Sequence, residues 1–190
     1  MASPIAHSLT GFAIYAVWRV KNEPRTQSSP AWRTVALFAL MANLPDFDFI
    51  LGWIFRGDPN AWHHTWSHSL SATVAASMLA ACLSPLPCGW LAGARIFSLL
   101  IGSHLAIDFF TGPDLGFRQA FPIPLLWPFV PAGFRAPVTL FPGIQHSRAE
   151  RLFGLRNASC AVYEIALFTP LALTAWFAAQ PRPQTAATRS

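Results

Sequence analysis

An apolar run from Trp90 to Phe110 carries His104 and Asp108 near its end, and a second run, ANLPDFDFILGWIF, is interrupted by Asp46 and Asp48. Ionisable side chains inside apolar segments are costly. They persist where they pair, line a cavity or hold an ion. His7, His63, His64 and His68 also lie close to apolar segments. The pattern points to a metal site within or beside a membrane.

Composition agrees with a membrane. Hydrophobic residues make up 53% of the 190-residue chain and charged residues 11%, against about 25% charged in a typical soluble domain. A water-facing surface is hard to build from this set. The net charge of +5 is spread over scattered arginines. With no basic–aromatic stripe or zinc-finger spacing, nucleic acid is excluded as a partner and anionic lipid headgroups are favoured. Cys82, Cys88 and Cys160 form no CxxC pair and read as free thiols. The N-terminal stretch has no positive region before its apolar run and does not read as a signal peptide.

The predicted class is an all-α integral membrane bundle of about four or five apolar helices with a proline-rich loop region. It forms a single domain over residues 1–180 with a short polar tail at 181–190. Ser3 and Pro4 suit a helix start. Pro45 predicts a break near Leu44 in the run from Thr34 to Phe55. Further helices are predicted over LSATVAASMLAACL, Trp90–Phe110 and Ser159–Ala179. Seven prolines between 111 and 146 defeat a continuous helix there. FPIPLLWPFV is expected to lie on the protein or at the membrane interface.

With helices alternating up and down, His7, Asp46, Asp48, His63, His64, His68, His104 and Asp108 all gather towards one membrane face. The cations split seven to six between the two faces, which leaves the orientation open.

His104 and Asp108 share a helix face, where one metal can take both or the carboxylate can orient the imidazole. Asp46 and Asp48 cannot share a helix face, but non-helical backbone at Pro45 can aim both into one cavity. The alternative is favourable helix-dipole chemistry in a first turn. His64 and His68 have i, i+4 spacing, whereas His63 and His68 need a turn between them. Ser67 or Thr65 is the expected cap of the next helix. His146 reads as an exposed loop histidine. Glu164 is a candidate general base or a buried hydrogen-bonding group. Imidazole and carboxylate ligands suit Zn²⁺, with Mn²⁺ or Fe as alternatives, and the number of ligands suits two ions.

His7 before an apolar helix, LPDFD at 44–48, HHTWSHS at 63–69, HLAID at 104–108 and PLLWPF at 124–129 together resemble the YdjM-like family of bacterial inner-membrane proteins, described as predicted metal-dependent hydrolases. The resemblance covers about the first 130 residues. It implies His7, Asp46, Asp48, His63, His68, His104 and Asp108 as metal ligands. His64 stands where the family usually has arginine. The H-x3-D element is also similar to that of zinc-dependent phospholipase C enzymes.

The expected function is therefore membrane-bound hydrolysis of a phosphoester or lipid-like substrate through a metal-activated water. Asp48, His104 and Glu164 are the expected catalytic residues, and Arg118 or Arg135 is a candidate phosphate contact. The rival readings are a transporter or channel for metal ions or protons, whose ligands should spread through the membrane depth, and a metal that only staples helices.

Overall fold

The computed structural model describes residues 1–23, 29–146 and 153–180. The polar tail at 181–190 lies outside the described residues, as do Arg25, Arg148, Arg151, Arg182 and Arg189.

Helix α1 (Pro4–Asn22) starts where Ser3 Oγ accepts from the Ile5 N–H, with Pro4 in the first turn and Arg19 and Lys21 in the last. It packs against α2 (Trp32–Ala42) and against α6 (Leu155–Ala178). Gly11 permits the first of these approaches. A Cβ there would lie 2.8 Å from the Phe38 carbonyl oxygen. Tyr15, Phe38, Ala42, Phe97 and Leu100 form the core between α1, α2 and α5 (Trp90–Phe109). A smaller cluster joins Ala2, Ala6, Ile107 and Phe168.

The break at Pro45 is real. After Ala42 the chain makes a 3₁₀ turn (Leu44–Phe47), then enters α3 (Asp48–Arg56), with a bend of 70° between the two apolar helices. Pro45 supplies no N–H and disfavours helix at the preceding residue, so the turn falls there. Gly57, in the left-handed region at φ 68°, ends α3.

A looped segment then leads to a short 3₁₀ turn (Trp66–His68) and α4 (Leu70–Leu83). The cap of α4 is Ser69, whose Oγ accepts from the Ala72 N–H, and not Ser67 or Thr65. Ser67 is instead drawn to a carboxylate.

No regular helix forms in the proline-rich segment. It holds a two-residue parallel pairing of β1 (Thr111–Gly112) with β2 (Phe141–Pro142) and bridges at Gly116–Thr139 and Ile123–Phe134. These strands are the small exception to an all-helical architecture. The segment folds back over the start of α4, where Leu70 N–H donates to the Leu125 carbonyl, and over the chain start, where Ile144 N–H donates to the Met1 carbonyl.

Helices α5 and α6 are long and apolar enough to cross a bilayer, and the bent α2–α3 pair makes a third candidate. Among the described residues that makes two or three candidate spans, so four or five membrane-crossing helices are not confirmed. Helix α4 has 14 residues, roughly 21 Å against a hydrocarbon core of about 30 Å. Around the bundle Val17, Ile54, Leu79, Leu99, Val162 and Leu171 are exposed while histidines and aspartates are buried. That inversion suits lipid outside and a polar site inside.

Candidate metal centre

Every element that meets at the site does so by one of its ends. His7 lies in the first turn of α1, and His104 and Asp108 lie in the last turns of α5. His68 ends the 3₁₀ turn just before the Ser69 cap of α4, Asp46 lies in the 3₁₀ turn between α2 and α3, and Asp48 opens α3. The 3₁₀ turn lets both aspartates reach His68, which i, i+2 spacing on an α-helix would prevent. Asp46 faces His68 and His104, whereas Asp48 faces His63 and His68.

Four buried ligand atoms converge. His68 Nε2 lies 3.3 Å from His104 Nε2, 3.5 Å from Asp46 Oδ1 and 3.4 Å from Asp108 Oδ2. His104 Nε2 is 3.4 Å from Asp46 Oδ1 and 3.5 Å from Asp108 Oδ2. The remaining edge, between the carboxylates, is below 4.8 Å. A regular tetrahedron with edges of about 3.4 Å has corners about 2.1 Å from its centre, close to zinc–nitrogen and zinc–oxygen bond lengths.

The other ring nitrogens set the tautomers. His104 Nδ1 lies 2.9 Å from the Ala42 carbonyl, which can only accept, so Nδ1 carries the proton. Ser67 Oγ donates to Asp48 Oδ2 at 2.5 Å and is therefore left to accept from His68 Nδ1–H at 2.9 Å. In the neutral rings both Nε2 atoms then present lone pairs to each other and to two carboxylate oxygens. Such a set suits a cation at its centre, and holding ligand imidazoles through Nδ1 is how metal sites fix ring orientation.

Unpaired polar atoms support the same reading. Both oxygens of Asp46, Oδ2 of Asp108 and both nitrogens of His7 are buried without a hydrogen-bond partner. Each such atom is expensive unless something occupies the space. His7 stacks on His104, with ring centroids 3.7 Å apart at 17°, and its Nε2 lies 3.6 Å from Asp108 Oδ1. That oxygen also accepts from the Ala2 N–H at 2.9 Å.

The histidine pair resolves into two environments. His63 stacks on Phe49 at 4.0 Å and its Nδ1 is 3.1 Å from Asp48 Oδ1. His64 turns the other way and brings Nε2 within 3.4 Å of Asp108 Oδ2. It does so at φ 55°, in the left-handed region that residues other than glycine uncommonly adopt. Burial lowers both rings, His63 to about 4 despite Asp48. Burial alone would lower His68 too, but Asp108, Asp46 and Asp48 around it hold it well above the usual histidine range.

Other expected positions lie apart from this cluster. Both oxygens of Glu164 accept from Ser3, one from its N–H at 2.8 Å and one from its hydroxyl, so Glu164 anchors the start of α1. Arg118 is exposed beside Asp114 and Arg135 is exposed; neither lines the cavities bordering the cluster. His146 is a correction. It is half-buried, with Nδ1 2.6 Å from Asn60 Oδ1 and its ring edge-on to Phe49 and His63. Nothing in its local sequence announces this, because the contact joins segments 86 residues apart.

A cavity of about 430 Å³ borders the cluster, lined by His63, His64 and His146 among others. No curated protein and no solved structure matches the chain. One family model matches residues 1–182, and by that match the chain belongs to the YdjM inner membrane protein family.

Proposed function

We propose that this inner-membrane protein is a metal-dependent hydrolase acting on a phosphoester or lipid-like substrate. The observation that carries the reading is the convergence of His68, His104, Asp46 and Asp108 beside an imidazole-lined cavity. These four residues would hold a divalent ion, most simply Zn²⁺. Asp48 and the Ala42 carbonyl would orient the two ligand rings. A bound ion of this kind lowers the pKa of a coordinated water and offsets negative charge developing on a substrate oxygen.

The remaining side chains suit a working site better than a closed staple. A purely structural ion needs only four ligands. Here His7 and His64 also approach the Asp108 carboxylate, at Oδ1 and Oδ2 respectively, and would be available to hold a second ion. His63 and His64, neutral through burial, offer imidazoles at the cavity wall. The transporter reading is weaker because the ligands meet at helix ends and are not strung through the depth of the bundle.

Metal analysis of the purified protein, with a phosphoesterase and lipase substrate panel, tests this. At least one ion per chain with turnover lost in His104→Ala is expected. Less than one ion per chain, unchanged by His104→Ala, would overturn the metal site. Bound metal without turnover but with ion flux in proteoliposomes would favour transport.

A further inference from the structure

A second cavity, of about 520 Å³, adjoins the histidine-lined one. Met1, Ile144 and His146 line both. The second cavity is walled by Pro4, Phe47, Phe49 and Pro59, and the carboxylate in its lining is Asp46. Asp46 is a member of the ligand tetrad, so the apolar cavity runs up to the metal centre itself. Its volume falls within the range of roughly 300–1,000 Å³ usual for small-molecule sites.

The two linings differ in their share of polar groups. The apolar cavity is walled mainly by aromatic and proline carbon, with Asn43, Asp46 and His146 as its polar members, whereas the histidine-lined one sets three imidazoles and Asn60 beside Phe121, Pro122 and Ile144. His146 stands at their junction, fixed by Asn60 through Nδ1 and by Phe49 against its ring. A wholly polar substrate would gain little from the apolar cavity, and a wholly apolar one would leave the imidazoles and Asn60 of the other without partners on the ligand. An amphiphile fills both, and a membrane supplies amphiphiles at high local concentration.

We infer that the apolar cavity beside Asp46 receives the hydrocarbon chain of a single-chain amphiphile whose phosphate-type head lies in the adjoining histidine-lined cavity. The head group rests on the hydrolase reading; the chain site rests on the continuity of the two cavities. Pro59 and Phe47 line the apolar cavity alone of the two, so they select for the tail without touching the head.

The test is calorimetric titration of Zn²⁺-loaded protein in one detergent with methyl-, butyl- and octylphosphonate, each below its micelle-forming concentration. Phosphonates carry no hydrolysable ester, so binding is read without turnover. Octylphosphonate should bind at least about tenfold more tightly than methylphosphonate, and Pro59→Trp or Phe47→Trp should cut that preference to about threefold or less, because buried methylenes carry the difference. Affinity for methylphosphonate and metal content should be unchanged in both variants, which also share any partition into detergent with the parent.

Equal binding across the series, no binding of any member, or a chain-length preference that survives both tryptophan variants would overturn the inference. The two readings fail separately. Turnover without chain-length preference removes the tail site and leaves the hydrolase. Chain-length-dependent binding without turnover does the reverse.

Discussion

His68 and His104 point their Nε2 atoms at each other across 3.3 Å, while the Nδ1 of each ring faces a partner that fixes it as the protonated nitrogen. Two facing lone pairs repel unless a cation or a shared proton lies between them. With Asp46 and Asp108 completing the set, a metal and a proton compete for one place.

Removing a ligand and removing its support should differ in degree. Asp46→Ala or His104→Ala should reduce bound zinc below about one ion in ten chains, since a tetrahedral site loses a corner. Asp48→Asn keeps the four ligand atoms and should weaken zinc by about 10–100-fold, the usual effect of disturbing an orienting partner. Competition with a chromophoric chelator reads both. Equal losses in Asp48→Asn and Asp46→Ala would mean that Asp48 is itself a ligand.

Metal binding should release protons. The carboxylates around His68 hold its folded pKa above the unfolded value of 6.5. Its proton therefore stabilises the metal-free fold fully below pH 6.5, and that stabilisation is lost as pH rises through the raised value. Burial holds His63 and His146 at about 4, so they stay neutral over this range. The metal-free protein should accordingly melt at lower temperature as pH rises above 6.5, while the zinc-loaded protein should not. Zinc titrations in buffers of different ionisation enthalpy should show proton release near neutral pH. Zinc affinity that is flat between pH 6 and 8 would contradict this.

His64 is held at φ 55° with its imidazole towards Asp108. His64→Ala should keep the tetrad's metal and lower kcat by about 10²–10³, the range for removing one positioned donor to developing negative charge, a role that arginine can also fill. His64→Arg restores the residue that the family usually carries and should retain more activity. Metal content and steady-state kinetics together decide this, and an active His64→Ala would remove His64 from the reaction.

Gly11 is required by packing. A methyl group there meets the Phe38 carbonyl oxygen at 2.8 Å, against backbone that cannot swing aside. Gly11→Ala should destabilise by about 1–3 kcal/mol through overpacking, seen as a lower unfolding midpoint in detergent. The metal:protein ratio of the folded fraction should hold.

Glu164 satisfies both the N–H and the hydroxyl of Ser3. Glu164→Leu strands these donors and should cost about 1–3 kcal/mol, with zinc still bound. A selective loss of kcat at unchanged stability would instead make Glu164 a reacting group.

Much of this protein is legible along the chain because its determinants are local. The cap at Ser3, the break at Pro45, the limits of α4 and the absence of helix in the proline-rich segment follow from residue chemistry within a turn or two. The HLAID spacing places His104 and Asp108 on one face by helix geometry alone, and the scarcity of charge points to a membrane. What the sequence could not assign were relations between segments distant in the chain. The left-handed turn at His64 separates its role from that of His63. The burial of Ser3 against α6 takes Glu164 to the start of α1, and the return of the proline-rich segment brings His146 to Asn60. The residue types were set by the sequence. Which of their atoms face one another was decided by packing among helix ends, because each pairing depends on where several independent elements stop.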